Sequence, residues 1–232
     1  MPIDLNADLG EGASADAELM ALVTSANVCC GGHAGDPVLI RSTLELAKQQ
    51  RVTVGAHPGY PDREHFGRRE MTLTPAEVGA HCLYQIGGLI AISRVVPIVV
   101  KYLKPHGALY NQACRDPDLA KTIVAVALMT GLDLVGLPDS ELEAAAKKLN
   151  VPFHREGFAD RRYRADGSLV PRTEPNAFIH DPAEAVEQVE WLIREKHVRT
   201  ICVHGDNPEA VRFTRAVRES LLQRGVQLKP FA

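Results

Sequence analysis

The chain has 232 residues, 45% of them hydrophobic, enough for one sizeable α/β core. Lys and Arg total 26 against 29 for Asp and Glu, a net charge of -3 with no run of one sign, so nothing points to nucleic acid or to a charged tail. No apolar run approaches the ~20 residues of a membrane span, and five cysteines without a Cys-x-x-Cys pair make no disulfide framework. No charged-then-apolar leader precedes Asp4, and the expectation is a cytoplasmic protein in a reducing compartment, away from membranes.

The first predicted strand covers residues 4–9, where Asp4, Asn6 and Asp8 alternate with Leu5, Ala7 and Leu9. It ends in Gly10-Glu11-Gly12, a turn with another acid at its tip. Ser14 is the expected cap of a helix reaching about Thr24, and strand two is expected from Ala26 to Cys30. Asp36-Pro37 opens a helix, with Asp36 at the N-cap and Pro37 in its first position. Strand three is Val52 to Ala56, followed by a long loop from Pro58 to Thr74. Thr74-Pro75-Ala76-Glu77 carries a capping-box signature and starts a helix to about Ser93. Strand four runs from Ile98 to Leu103, and Pro105 to Asn111 reads as the loop beyond it. A helix from Asp116-Pro117 to Thr130, a strand from Asp133 to Gly136 and a helix from Ser140 to Leu149 follow. Strand six is expected from Val151 to Arg155, and Gly157 to Pro175 reads as a long active-site loop with room for a hairpin. Asp181-Pro182 opens a helix to Lys196, strand seven is Thr200 to Val203, and Asn207-Pro208 begins a last helix ending near Gly225.

Seven strands alternating with helices, without a linker, predict a single α/β domain over residues 1–232 with a parallel, helix-covered sheet. No Gly-x-Gly-x-x-Gly follows the first strand, so a closed seven-stranded barrel is favoured over a doubly wound open sheet. In either, catalytic groups sit at the carboxyl ends of the strands. Four apolar runs end there in a histidine followed by small or turn-forming residues: His33, His57, His106 and His204. His57, His106 and His204 share strand parity with Gly55, with Tyr102 and Lys104, and with Cys202, opposite to the aliphatic positions, so they converge inside the rim. Asp8 shares that direction and is expected to face His57, with Asn6 orienting it and Asp4 one step deeper.

Asp/His clusters of this kind serve a hydrolytic metal site or metal-free general acid–base work, and the spacing leaves both open. Lys104 adds a fixed cation beside His106. Of Arg68, Arg69, Arg161 and Arg162 in the two long loops, one or two are expected to meet a carboxylate or phosphate. The remaining histidines lack the strand-end setting and read as structural or surface residues. There is neither a P-loop nor a Gly-x-Ser-x-Gly elbow.

Several segments resemble motifs of the LamB/YcsF family, the A-subunit family of ATP-dependent 5-oxoprolinases. They are Asp4 to Gly12, His33-Ala34-Gly35-Asp36-Pro37, Gly55-Ala56-His57-Pro58-Gly59-Tyr60-Pro61-Asp62, Phe66-Gly67-Arg68-Arg69, Lys104-Pro105-His106-Gly107-Ala108-Leu109-Tyr110-Asn111, Phe158-Ala159-Asp160-Arg161 and Cys202-Val203-His204-Gly205-Asp206. The resemblance spans nearly the whole chain. It implies a (β/α)7 TIM-like barrel of the glycoside hydrolase and deacetylase type. It also implies cleavage of 5-oxoproline to glutamate coupled to ATP hydrolysis, in concert with separate B and C subunits. With the strand-end residues it nominates Asp8, His57, Lys104 and His106 as catalytic. Asn6, Glu11, His33, Asp36, Tyr60, Arg68, Tyr110, Asn111, Asp160, Arg161, His204 and Asp206 are nominated for substrate contact. Asp8, His33 and His57 are the candidates for a divalent metal.

Two departures stand out. The family usually places Phe before the histidine of the second motif, where this chain has Gly32, and a wider pocket is expected there. The stretch before the last strand is also short, running from Glu195 almost straight into Thr200. Two alternatives carry their own expectations. A stand-alone metal-dependent deacetylase of N-acetylated sugars would hold a stoichiometric divalent ion. A non-catalytic barrel scaffolding partner subunits would tolerate loss of Asp8 or His57.

Overall fold

The structure is a computed structural model that describes residues 2–205 and 209–232. The strands are β1 (Asp4–Leu9), β2 (Ser25–Cys29), β3 (Thr53–His57), β4 (Val100–Leu103), β5 (Asp133–Gly136), β6 (Phe153–Phe158) and β7 (Thr200–Val203). They form a closed barrel in chain order, all parallel, and the seam pairs Asp4 with Thr200 and Ala7 with Val203. Closure excludes the open-sheet alternative. Around the barrel lie α1 (Asp16–Met20), α2 (Pro37–Gln50), α3 (Pro75–Val95), α4 (Gly107–Arg115), α5 (Pro117–Thr130), α6 (Glu141–Lys148), α7 (Pro182–Glu195) and α8 (Ala210–Gln223). Among the described residues no helix is long and apolar enough to cross a membrane.

The helix starts follow local chemistry. Asp36 accepts hydrogen bonds from the Val38 and Leu39 amides, Asp116 from those of Asp118 and Leu119, and Asp181 from that of Ala183. Each precedes a proline in the first turn, whose missing N–H has no intrahelical partner to lose. Thr74 and Glu77 complete a reciprocal capping box on α3, and Ser140 caps α6.

Beyond shifts of one or two residues at strand ends, four features differ from expectation. Helix α1 is only five residues long and has no side-chain cap, because its N-cap residue is Ala15 and not the expected Ser14, while Asp16 accepts the Gly10 amide and braces the β1 turn. Residues 63–65 of the long loop form a short 3-10 turn. The predicted loop from Pro105 to Asn111 is largely the first turns of α4, whose N-cap residue His106 makes no capping bond because its ring is engaged elsewhere. Strand β6 runs three residues past Arg155 and carries Glu156 into the barrel. The segment after it does hold a small antiparallel contact, Tyr163 opposite Leu169. The expected start of the last helix at Asn207-Pro208 lies outside the described residues.

The two faces of β1 separate as their parity requires. Leu5, Ala7 and Leu9 join the apolar layer beneath the helices, while Asp4 and Asn6 are buried in the barrel itself. Barrels of this kind are usually filled by branched aliphatic layers. This one is filled by a hydrogen-bonded polar column. Asp4 accepts from the hydroxyls of Thr24, Ser25 and Thr200, and Asn6 donates to Thr200 and to Glu156. The Tyr102 hydroxyl donates to Asn27 Oδ1 at 2.7 Å. Its ring lies against Gly55, where a Cβ would stand only 2.1 Å from Tyr102 Cε2. Phe231 packs on Tyr102 and His154.

Burial of Asp4 pushes its carboxyl up from the usual 3.8 to about 6, against the lowering effect of the Ser25, Thr200 and Thr24 hydroxyls. A raised carboxyl favours the protonated form in the folded state, so this contribution to stability is present at low pH and is lost as pH rises through that window. We expect Asp4→Asn to remove the loss. Relative to wild type the variant should gain on the order of 2–3 kcal/mol between about pH 4 and about pH 7, read from urea unfolding at each pH.

Candidate active site

A cleft opens at the carboxyl ends of the strands. Asp8, Glu11, His57, Lys104, His106, Tyr110, Phe158 and His204 line it, with Arg68, Arg161 and Arg172. Its floor is organised by Lys104, only 2% exposed. The ammonium lies 3.0 Å from Asp8 Oδ1, 3.0 Å from Glu156 Oε1 and 3.1 Å from Cys202 Sγ. Burial opposes its charge, but Asp8, Cys202 and Glu156 together hold its pKa well above the ordinary lysine value. Burial would raise the Asp8 carboxyl, and His57 and Lys104 overrule it and hold Asp8 well below the usual carboxylate range. Asn27 donates to the same Asp8 oxygen at 2.7 Å, while Asp8 Oδ2 lies 3.3 Å from His57 Nε2. Asp8 and His57 therefore do face each other.

The histidines pack as a second group. His33 and His106 stack with ring centroids 3.6 Å apart, and His57 meets both edge-on. His106 Nδ1 is 3.0 Å from His57 Nε2 and 3.3 Å from Glu11 Oε1. His33 Nε2 lies 2.8 Å from that same Glu11 oxygen. Burial, with His33 and His57 adjacent, pushes His106 well below the usual histidine value, so its ring is neutral. Across the cleft, both oxygens of Asp160 engage the His204 ring at 2.9–3.0 Å, and His204 stacks on Phe158. Burial works against the Asp160 charge, and His204 outweighs it and lowers the carboxyl.

The placement of the nominated residues is uneven. Asp8, Glu11, His57, Arg68, Lys104, His106, Tyr110, Asn111, Arg161 and His204 all line the cleft. Asp160 stands directly behind His204, and His33 behind Glu11. Asn6 lies beneath the floor in the polar column. Asp36 is exposed at the α2 cap, and the Tyr60 hydroxyl donates to Gln112. Both sit away from the cleft, because each serves the loop that carries a neighbouring motif residue. Asp206 lies outside the described residues. Arg162 pairs with Glu184 on α7, whereas Arg161 is buried, its guanidinium donating to the Ala177 and Val170 carbonyls.

Gly32 does not widen the pocket. A Cβ there would stand 2.3 Å from Gln85 Oε1, and Gln85 is held by the amide and carbonyl of Gly59. The Gln85 side chain from α3 occupies the space beside Gly32.

Sequence reasoning passed over Asn27, Glu156 and Arg172. Asn27 was hidden in a short apolar strand, although it occupies the inward position of Ser25-Ala26-Asn27. Glu156 shares parity with His154 and Phe158, a signal lost by ending β6 at Arg155. Among the described residues, two side-chain groups bring potential metal-ligating atoms within 4.8 Å of one another: Glu11, His33, His57 and His106, and separately Asp8, Cys202 and His204. The expected trio of Asp8, His33 and His57 is thus divided between them.

Four comparisons with known proteins bear on this site. Residues 3–232 match the LamB/YcsF family. A Pyrococcus furiosus protein named as the A subunit of 5-oxoprolinase is 45% identical over 251 aligned positions, covering 99% of this chain and 98% of that one. A crystal structure described as lactam utilization protein from Thermus thermophilus superposes with a TM-score of 0.91 at 41% identity, over 100% of both chains. A family 4 carbohydrate esterase from Streptomyces lividans shares the barrel alone, at TM-score 0.55 and 13% identity over 100% of this chain and 93% of that one. On the whole-chain family match and these whole-length relatives, the chain belongs to the LamB/YcsF family.

Proposed function

We propose that this chain is the A subunit of an ATP-dependent 5-oxoprolinase and that its cleft opens the lactam of 5-oxo-L-proline to L-glutamate, acting with B and C subunits. The observation that carries the reading is the juxtaposition of a buried, doubly paired lysine with Asp8, His57 and His106 at the floor of an open, arginine-lined cleft, in a chain of this family. A five-membered lactam is a stable amide, so its carbonyl needs activation. Transfer of the ATP γ-phosphoryl group to the lactam oxygen would release ADP and leave an electrophilic ring carbon. Water adds to that carbon, the ring C–N bond breaks as nitrogen takes a proton, and a second water releases phosphate from the resulting acyl phosphate.

The residues divide these tasks by position. Asp8, His57 and His106 hold and activate the attacking water, and Asp8 acts through its fixed negative charge, since its depressed pKa makes it a weak base. Lys104 presents a permanent cation where negative charge develops on oxygen. Arg68, Arg161 and Arg172 at the cleft wall suit the substrate carboxylate or a phosphoryl oxygen.

The test is reconstitution. Complex assembled with the B and C subunits should release glutamate from 5-oxoproline in proportion to ATP consumed. The isolated chain should not act on N-acetylated sugars. Release of acetate from such sugars by the chain alone, with 5-oxoproline left intact by the complex, would favour the deacetylase reading instead.

A further inference from the structure

We propose that Glu11, His57 and His106 bind one divalent transition-metal cation of the zinc type at the rim of the barrel. The inference goes beyond the lactam reading and does not depend on it.

Backbone carbonyls decide the roles of two ring nitrogens at the rim. His57 Nδ1 lies 2.8 Å from the Lys104 carbonyl oxygen, and His106 Nε2 lies 2.8 Å from that of Phe66. A carbonyl only accepts, so each of these nitrogens carries the hydrogen. In the neutral rings the opposite nitrogens, His57 Nε2 and His106 Nδ1, present lone pairs, and they face each other at 3.0 Å. Glu11 Oε1, another acceptor, is 3.3 Å from His106 Nδ1, and Asp8 Oδ2 is 3.3 Å from His57 Nε2. Four acceptors therefore crowd one small volume.

A proton on His57 Nε2 answers both Asp8 Oδ2 and His106 Nδ1, but it leaves His106 Nδ1 and Glu11 Oε1 facing each other lone pair to lone pair at 3.3 Å. A cation relieves all of them together. The spacing suits it, since ligands bound at zinc–nitrogen and zinc–oxygen lengths stand about 3.3 Å apart around a tetrahedral ion. The surroundings match as well. Metal-ligating imidazoles donate their other N–H to a carbonyl or carboxylate, as both rings do here, and ligating carboxylates are themselves hydrogen-bonded. His33 Nε2, 2.8 Å from Glu11 Oε1, fills that last place as a positioning residue, stacked on His106 and buried behind it.

Two nitrogens and a carboxylate select a borderline cation such as Zn²⁺ or Co²⁺ over Mg²⁺ or Ca²⁺, which prefer all-oxygen sets. Asp8, Glu11, His57 and His106 also line the open cleft, so one side of the site faces solvent, as catalytic rather than structural sites do. A cation held there acidifies a water in reach of the substrate.

The probe is the metal alone. Full-length chain stripped with a chelator and titrated with ZnCl₂ should bind one ion per chain by calorimetry and elemental analysis. With CoCl₂ it should develop the visible absorption of low-coordinate Co²⁺. His57→Gln and His106→Gln should each abolish the stoichiometric uptake, and His33→Gln should weaken it by about 10–100-fold. Cys202→Ser, in the neighbouring cluster, should retain it. Circular dichroism separates misfolded variants from binding-deficient ones. Should the substitutions prevent folding, imidazole ¹⁵N spectra of the stripped wild type give an independent reading, with the hydrogen on His57 Nδ1 and His106 Nε2, and both remaining nitrogens shifting when Zn²⁺ is added. Absence of one-to-one uptake, uptake that survives His106→Gln in a folded variant, or spectra showing a proton shared between the two rings and unmoved by Zn²⁺ would overturn the proposal.

Discussion

Lys104→Met is expected to be the most damaging single substitution in the barrel. The ammonium is buried between Asp8 and Glu156, both 3.0 Å away. Without it two carboxylates share a water-poor interior with no cation between them. Removing one partner of a buried ion pair costs about 3–5 kcal/mol, because the remaining charge stays desolvated. Urea unfolding should show that loss, and the complex carrying the variant should be inactive. The second substitution identifies the cause. Glu156→Gln removes one orphaned charge, so Lys104→Met with Glu156→Gln should recover roughly half of the lost stability without recovering activity, since the cation facing the substrate is still missing. A double variant no more stable than Lys104→Met would show that packing of the lysine stem, and not its charge, holds the column together.

Asp8→Asn should separate chemistry from folding. The amide oxygen can still accept from Lys104 Nζ and Asn27 Nδ2, which both address Asp8 Oδ1. Lys104 also keeps Glu156 as a charged partner, so the variant should fold, at a lower stability than wild type because the depressed Asp8 carboxyl contributes to it. What is lost is the negative charge beside His57 Nε2, and glutamate release by the reconstituted complex is expected to fall by about 10²–10⁴-fold. The loss should appear in kcat more than in KM, because the carboxylate acts on the attacking water and not on the ground-state lactam. Activity within a few fold of wild type would support a scaffolding barrel instead.

Much of the fold was legible because its signals are local. Asp36-Pro37, Thr74-Pro75-Ala76-Glu77, Asp116-Pro117 and Asp181-Pro182 each announce a helix by chemistry confined to one turn, and each helix begins there. Strands β5 and β7 coincide with their expected limits. The period-two alternation of β1 alone separates a polar interior from an aliphatic exterior. Other features depend on the closed barrel. Helix α4 begins without a capping side chain, since His106 is turned into the site, so no local signal marks it. Glu156 matters because closure places it opposite Lys104, a relation between strands far apart in sequence, and Asn27 because the register of β1 on β2 sets it beside Asp8. The role of Gln85 is of the same kind, a side chain from α3 filling space beside Gly32. Asp36 and Tyr60 show the converse. Their place in motifs suggested contact with substrate, but their hydrogen bonds support the loops that position His33 and His57.

Opening of the lactam over Lys104 requires 5-oxo-L-proline to bind in this cleft, which a crystal structure of the chain with that ligand would reveal. The expected result places the lactam carbonyl oxygen within about 3.5 Å of Lys104 Nζ or of the Asp8, His57 and His106 group, with the substrate carboxylate toward Arg68, Arg161 or Arg172. A lactam bound elsewhere on the chain, with this cleft filled only by water at saturating ligand, would contradict the account.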